Sequence, residues 1–153
     1  MSDDWKIHER RPLPALLNEC KELAVEELHR RLADEGHPDI RPGHGCVFRF
    51  IDPDEGSRLT DLSERSGLTK QAVGEVVGDL EELGYLERAP DPSDGRAKIV
   101  RLTDRGIAGV QTAERLFADI ERRWGEQIGP RKMASLRETL ESVIELERSV
   151  LPA

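Results

Sequence analysis

The side chains in this sequence with chemistry to offer gather between Leu59 and Thr103, and they are of one kind. Thr69-Lys70-Gln71 opens a helical pattern, Gly74 follows one turn later, and Arg96 closes an acidic tip, Asp91-Pro-Ser-Asp-Gly-Arg96, with Lys98 just beyond. None is a nucleophile beside a base. They are groups that hydrogen-bond and neutralise. At a helix N-terminus, where backbone N–H groups are free, such side chains meet phosphates and base edges. Gln71 has the geometry for a bidentate pair with adenine, and Lys70 for guanine or for phosphate alone. An arginine on a projecting tip suits a narrow minor groove, where negative potential concentrates. Each has a plainer reading: Thr69 as an N-cap, Lys70 and Gln71 as solvated, Arg96 in a turn with a local ion pair worth at most ~1 kcal/mol. Arg58, Arg65, Lys98 and Arg101 are open to the same two readings, phosphate contact or solvation.

Two short helices and a hairpin must hold these groups. Thr60 is placed to cap a helix ending at Ser66, with Asp61 at its positive end. Ser66-Gly67-Leu68 makes a tight turn, and Thr69 caps the next helix, with Leu68 and Val73 spaced as a hydrophobic staple. Val73, Val76, Val77, Leu80 and Leu83 form that helix's buried stripe. Gly74 and Gly78 lie off it, at a cost of about 1 kcal/mol each relative to alanine. They either leave a bare ridge for another backbone or relieve crowding against a neighbouring helix. After Gly84 the pattern becomes strand, Tyr85–Arg88 and Lys98–Leu102, around a Pro/Asp/Gly tip. Pro90 and Pro92 confine that tip to an edge or a loop.

The flanks are helical. Apolar residues at Leu13, Leu16, Leu17, Cys20, Leu23, Ala24, Leu28 and Leu32 mark one long amphipathic helix. Gly36, Pro38 and Pro42 break the chain before a second helix, about 43–51. Beyond Thr103-Asp104, Ile107 to Trp124 continue a helix to about Gln127, Gly129-Pro130 breaks it, and a last helix runs from about Lys132 to Val150. The expected fold is mainly α with a small β-hairpin wing. It is a single domain over 1–153, with a winged helix-turn-helix core at about 41–104 and long N- and C-terminal helices at about 13–35 and 104–150.

Composition sets limits on this reading. Lys and Arg number 23 against 31 Asp and Glu, a net charge of −8 that opposes a polyanion partner. The segment 57–106 is no better, with eight Lys/Arg against ten Asp/Glu, a sum of −2. A nucleic-acid reader therefore requires its cations gathered on one face. No apolar run approaches the ~18–20 residues that span a bilayer, and the N-terminus has no secretory h-region, so a cytoplasmic protein is expected. Cys20 and Cys46 have no CxxC spacing and read as free thiols, Cys20 buried on its helix's apolar face. A redox switch at Cys20 would need a lowered pKa and access to oxidant. His37, His44 and Cys46 are too irregularly spaced for zinc. Cys20, His44 and Phe48 are candidates to line a small-molecule effector pocket, or are simply packed between helices. No Ser/His/Asp elbow, phosphate loop or HExxH is present, so neither enzyme nor cofactor is expected. His8, His29, His37 and His44 have no paired nucleophile.

At the hairpin the chain resembles a known family. Asp91-Pro-Ser-Asp-Gly-Arg96, then Lys98-Ile-Val-Arg-Leu-Thr103 and Gly106, is similar to the wing of MarR-family bacterial transcription regulators. Leu68-Thr-Lys-Gln-Ala-Val73 and Leu80-Glu-Glu-Leu-Gly-Tyr85 resemble that family's recognition helix and its exit into the wing. The resemblance covers about residues 59–106. It implies a homodimer joined through the terminal helices, with one recognition helix per major groove and one wing per minor groove on double-stranded, pseudo-palindromic DNA. It also implies that Asp94 orients Arg96. Such proteins usually repress, and many release DNA when a small anionic or phenolic molecule, or an oxidant, acts. The competing reading is a winged helix used only for protein contact, which calls for an apolar face on the second helix.

Overall fold

The structure, a computed structural model, describes residues 11–151. Its elements are α1 (Leu13–Asp34), a 3-10 turn (Pro42–His44) running into α2 (Gly45–Phe48), α3 (Leu59–Ser66), α4 (Lys70–Glu82), β1 (Leu86–Asp91), β2 (Asp94–Leu102), α5 (Asp104–Ile128) and α6 (Pro130–Val150). Mainly helical with a two-stranded antiparallel wing, it matches the fold class expected from sequence. The chain divides into two compact units, one up to Glu114 and one from Arg115.

In the first unit the α3–α4 turn forms as its residues dictate. Gly67 ends α3 in the left-handed conformation at φ 71°, which costs glycine nothing. The Ser63 hydroxyl donates to the Leu68 carbonyl at 2.6 Å, and Thr69 Oγ1 accepts the Ala72 N–H at 3.1 Å, the N-cap bond expected of it. Val73, Val77 and Leu80 are fully buried along α4, with Leu62, Val47, Tyr85 and Val100 also in the core. Each such Val or Leu contributes about 1.5–3 kcal/mol of burial.

Three boundaries differ from expectation. α3 starts at Leu59, not after a Thr60 cap, because Ser57 is drawn into a backbone ladder with Val100 (2.8 Å in both directions) and the chain stays extended through Arg58. The helix expected over 43–51 shrinks to a 3-10 turn and four α-helical residues, between Gly43, Gly45 and the Asp52-Pro53 break. The strands run further out than their apolar residues suggested, pairing Ala89 with Ile99 and Pro90 with Lys98. Pro90 is tolerated because β1 is an edge strand, and the register shifts immediately after it.

The wing root is tied to the start of α5. Thr103 Oγ1 accepts the Gly106 N–H at 3.1 Å and donates to the Gly84 carbonyl at 2.6 Å. The Tyr85 hydroxyl donates to Asp39 at 2.6 Å and lies 3.0 Å from His37 Nδ1, while Arg105 bonds Asp39 and stacks 4.3 Å from the Tyr85 ring centroid. Burial, and then the neighbouring Asp39, push the Tyr85 phenol well above its usual range, so it stays a donor.

Much apolar surface is uncovered. On α1 only Leu28 and Leu32 are buried, while Leu13, Leu16, Leu17 and Leu23 are exposed. Cys20, expected to be buried, is exposed as well, because no described residue covers that half of the stripe. In the second unit α6 buries no residue at all, and Leu136, Val143, Ile144, Leu146 and Val150 are exposed.

At Gly106 the helix backbone lies against the strand exit so closely that an added Cβ would overlap the Tyr85 carbonyl oxygen. Gly106→Ala is expected to cost about 2 kcal/mol by overpacking, a fall in Tm of about 4–8 °C. An unchanged melting temperature by circular dichroism would refute this packing.

Candidate nucleic-acid interface

The buried stripe of α4 aims its opposite side outward. Lys70 and Gln71 are exposed at its start, and Gln71 reaches only a marginal 3.5 Å contact with Glu75. Cβ atoms added at Gly74 or Gly78 would meet nothing within 4 Å. Relief of crowding therefore does not account for them in this chain. The ridge is open to an incoming backbone.

Between α4, the start of α3 and the wing lies a cleft of about 410 Å³. Arg58, Lys70, Arg88 and Lys98 line it together with Thr60 and Ala97, and its lining contains no Asp or Glu. Nearby carboxylates are paired, two of them with arginines of the cleft itself: Asp91 with Arg58 at 2.6 Å, Glu81 with Arg88 at 2.7 Å, and Glu87 with Arg101 at 2.7 Å. Asp79 holds both Arg41 and the His44 ring, which keeps its carboxyl below the usual range, the His44 bond being the largest cause. Pairing thus separates the charges that a sum over 57–106 mixes. Lys70, Arg96 and Lys98 make no ion pair among the described residues.

The other cations considered from sequence have fixed partners. Arg58 is bound to Asp91, Arg101 to Glu87, and Arg65 donates to the Phe50 carbonyl at 3.1 Å. At the wing tip, Asp94 accepts the Arg96 backbone N–H at 3.1 Å. It fixes the main chain that carries the arginine, whose side chain is exposed and makes no ion pair among the described residues.

Asp91 is the residue that sequence reasoning passed over. It is 7% exposed, the only carboxylate among the buried residues described. One oxygen accepts the Ser93 N–H (2.8 Å) and hydroxyl (2.7 Å), and the other faces the Arg58 guanidinium. The Asp-Pro-Ser run is a signal for the local half of this arrangement. The Arg58 half, 33 residues away, leaves no trace in a linear pattern.

The three effector-pocket candidates are placed apart in role. His44 is buried with both ring nitrogens bonded, to the Arg41 N–H and to Asp79. Phe48 meets the Tyr85 ring edge-on at 6.0 Å, and Cys20 is exposed on α1. Burial raises the Cys46 thiol above its ordinary pKa. No group of three or more His, Cys, Asp or Glu among the described residues is arranged to hold a metal, and His8 lies outside those residues. No helix of the described residues is long and apolar enough to cross a membrane.

A sequence model of the MarR family matches residues 39–97, from the 3-10 turn to the wing. Over those residues the chain is similar to the MarR family. Its curated relatives are transcription regulators, not enzymes: the HTH-type transcriptional regulator BilQ of Clostridioides difficile (strain CD3) is 23% identical over 101 residues, 66% of this chain and 68% of BilQ. The reduced form of MarR from E. coli superposes with a TM-score of 0.74 at 23% identity, covering 89% of this chain and 98% of that one. The transcriptional repressor CouR, bound to a 23-mer DNA duplex, gives 0.67 at 24% identity, over 87% and 92% of the two chains. CouR from Rhodococcus jostii RHA1 has also been solved with p-coumaroyl-CoA.

In this wing, the two Ser93 bonds and then Arg58 hold the Asp91 carboxyl down, from 3.8 to about 2. A depressed folded-state pKa adds stability that is full above the unfolded value and is lost as pH falls through the folded one. Wild type is therefore expected to lose stability between about pH 4 and pH 2 more steeply than Asp91→Asn, measured by urea titration across that range. Identical slopes would show that Asp91 is not held ionised by the fold.

Proposed function

We propose that this chain is a sequence-specific double-stranded DNA-binding regulator, acting as a homodimer on a pseudo-palindromic operator and repressing the genes beside it. One observation carries the reading: a carboxylate-free cationic cleft between the start of α4 and the wing, with Arg96 unpaired at the wing tip. Lys70 and Gln71 would read the major groove, Gly74 would let the DNA backbone close on α4, and Lys98 and Arg96 would follow the wing into the minor groove. Thr69 acts first as the cap that orients the helix. CouR, bound to DNA with the same fold, supports this use of the surface.

The uncovered helices support the dimer. A 21-residue helix that buries nothing takes little stability from propensity alone and requires its apolar stripe to be covered. A second copy provides a symmetric cover for α6 and for the first half of α1. Release by a small molecule is the accompanying proposal, supported by the CoA thioester held by CouR. The protein-contact alternative loses ground, because the exposed positions of α4 are Lys70, Gln71, Glu75 and Glu82 rather than an apolar patch.

Footprinting on the chain's own promoter region is expected to protect one discrete, two-fold site. Arg96→Ala is expected to weaken binding to it by about tenfold or more while leaving the dimer intact by light scattering. Unchanged affinity at physiological salt would remove the wing from the mechanism.

A further inference from the structure

We propose that Arg58 and Asp91 form a latch that sets the angle of the wing against α4, making a buried carboxylate necessary for DNA affinity. The inference rests on the DNA-binding reading above and assigns its two positioning residues.

The wing is a two-stranded hairpin, a unit with little stability of its own in water. Its root is held at Tyr85 and Thr103, where Thr103 N–H donates to the Tyr85 carbonyl at 3.1 Å. Asp91 sits at the other end, the last residue of β1, and Arg58 is the last extended residue before α3. Arg58 Nε and a terminal nitrogen both reach the same Asp91 oxygen at 2.6 Å. The ladder between Ser57 and Val100 lies beside them. Gly56 admits that ladder: at φ +77°, an added Cβ would stand 2.6 Å from the Val100 carbonyl. The wing is therefore fastened at two ends, and the spacing of Lys98 on β2 from Lys70 on α4 follows from both.

Asp91 cannot attract DNA, since both its oxygens are turned to Ser93 and Arg58. Its ionised form is favoured, as its lowered pKa also indicates. Arg58 lines the cationic cleft, so its loss alone would not separate a latch from a phosphate contact. Asp91 separates them. Asp91→Asn removes a negative charge from a DNA-facing unit and, were charge all that mattered, would strengthen binding.

The test measures affinity for the footprinted operator across a salt series, using dimeric full-length wild type, Asp91→Asn, Arg58→Lys and the double variant. The latch predicts that Asp91→Asn and Arg58→Lys each weaken binding about tenfold, that the double variant is no worse than either, and that the salt slope is unchanged. In the free protein, amide exchange over Leu86–Leu102 is expected to quicken in both single variants. Asp91→Asn binding as tightly as wild type, or exchange in the wing unaltered, would overturn the latch. A wild type that binds no DNA would defeat the underlying reading, and the exchange measurement would still decide whether the latch holds the wing.

Discussion

Coulomb repulsion is the constraint on which the rest of this molecule depends. A chain with net charge −8 must approach a polymer carrying one negative charge per ~1.7 Å. At physiological salt, charges more than about 8 Å from a phosphate are largely screened, so the local arrangement decides. That arrangement is built by pairing. Asp79, Glu81, Glu87 and Asp91 each contact a cation of the same unit, while Lys70, Arg96 and Lys98 make no ion pair among the described residues. Individually, exposed pairs such as Glu87–Arg101 add little stability. Their consequence is to neutralise part of the acidic charge locally, while the cleft lining itself carries no carboxylate.

The fold serves that separation at each step. Thr69 and Gly67 fix where α4 begins, and the buried Val73–Val77–Leu80 stripe fixes which side turns outward. Gly56 and Gly106 let backbones meet where a methyl group would not fit, so β2 lies against Ser57 and α5 against the wing root. The result is a cleft whose two walls come from elements far apart in sequence. Apolar residues of α1 and α6 are left exposed among the described residues.

What could be read in advance followed the range of each interaction. The turn at Gly67, the Thr69 cap, the α4 stripe and the hairpin are local patterns within a few residues, and they formed as their spacing indicated. Strand ends and the start of α3 were misjudged because they depend on Ser57 meeting Val100, a pairing that no local signal announces. Charge behaved similarly. Arg58 and Arg101 look like free cations in a linear sequence, and only the folded chain assigns them to Asp91 and Glu87. Cys20 was misread for a different reason: periodicity identifies an apolar face, not whether the same chain covers it.

The most direct test of the central claim is the salt dependence of DNA affinity for the wild-type protein. Lys70, Arg96 and Lys98 from each of two copies would make about six phosphate neutralisations, and a slope of log K against log salt of roughly −5. A slope of that size on a discrete duplex site would mean that this acidic chain carries a basic reading face. A slope near zero, or no measurable binding at low salt, would contradict it.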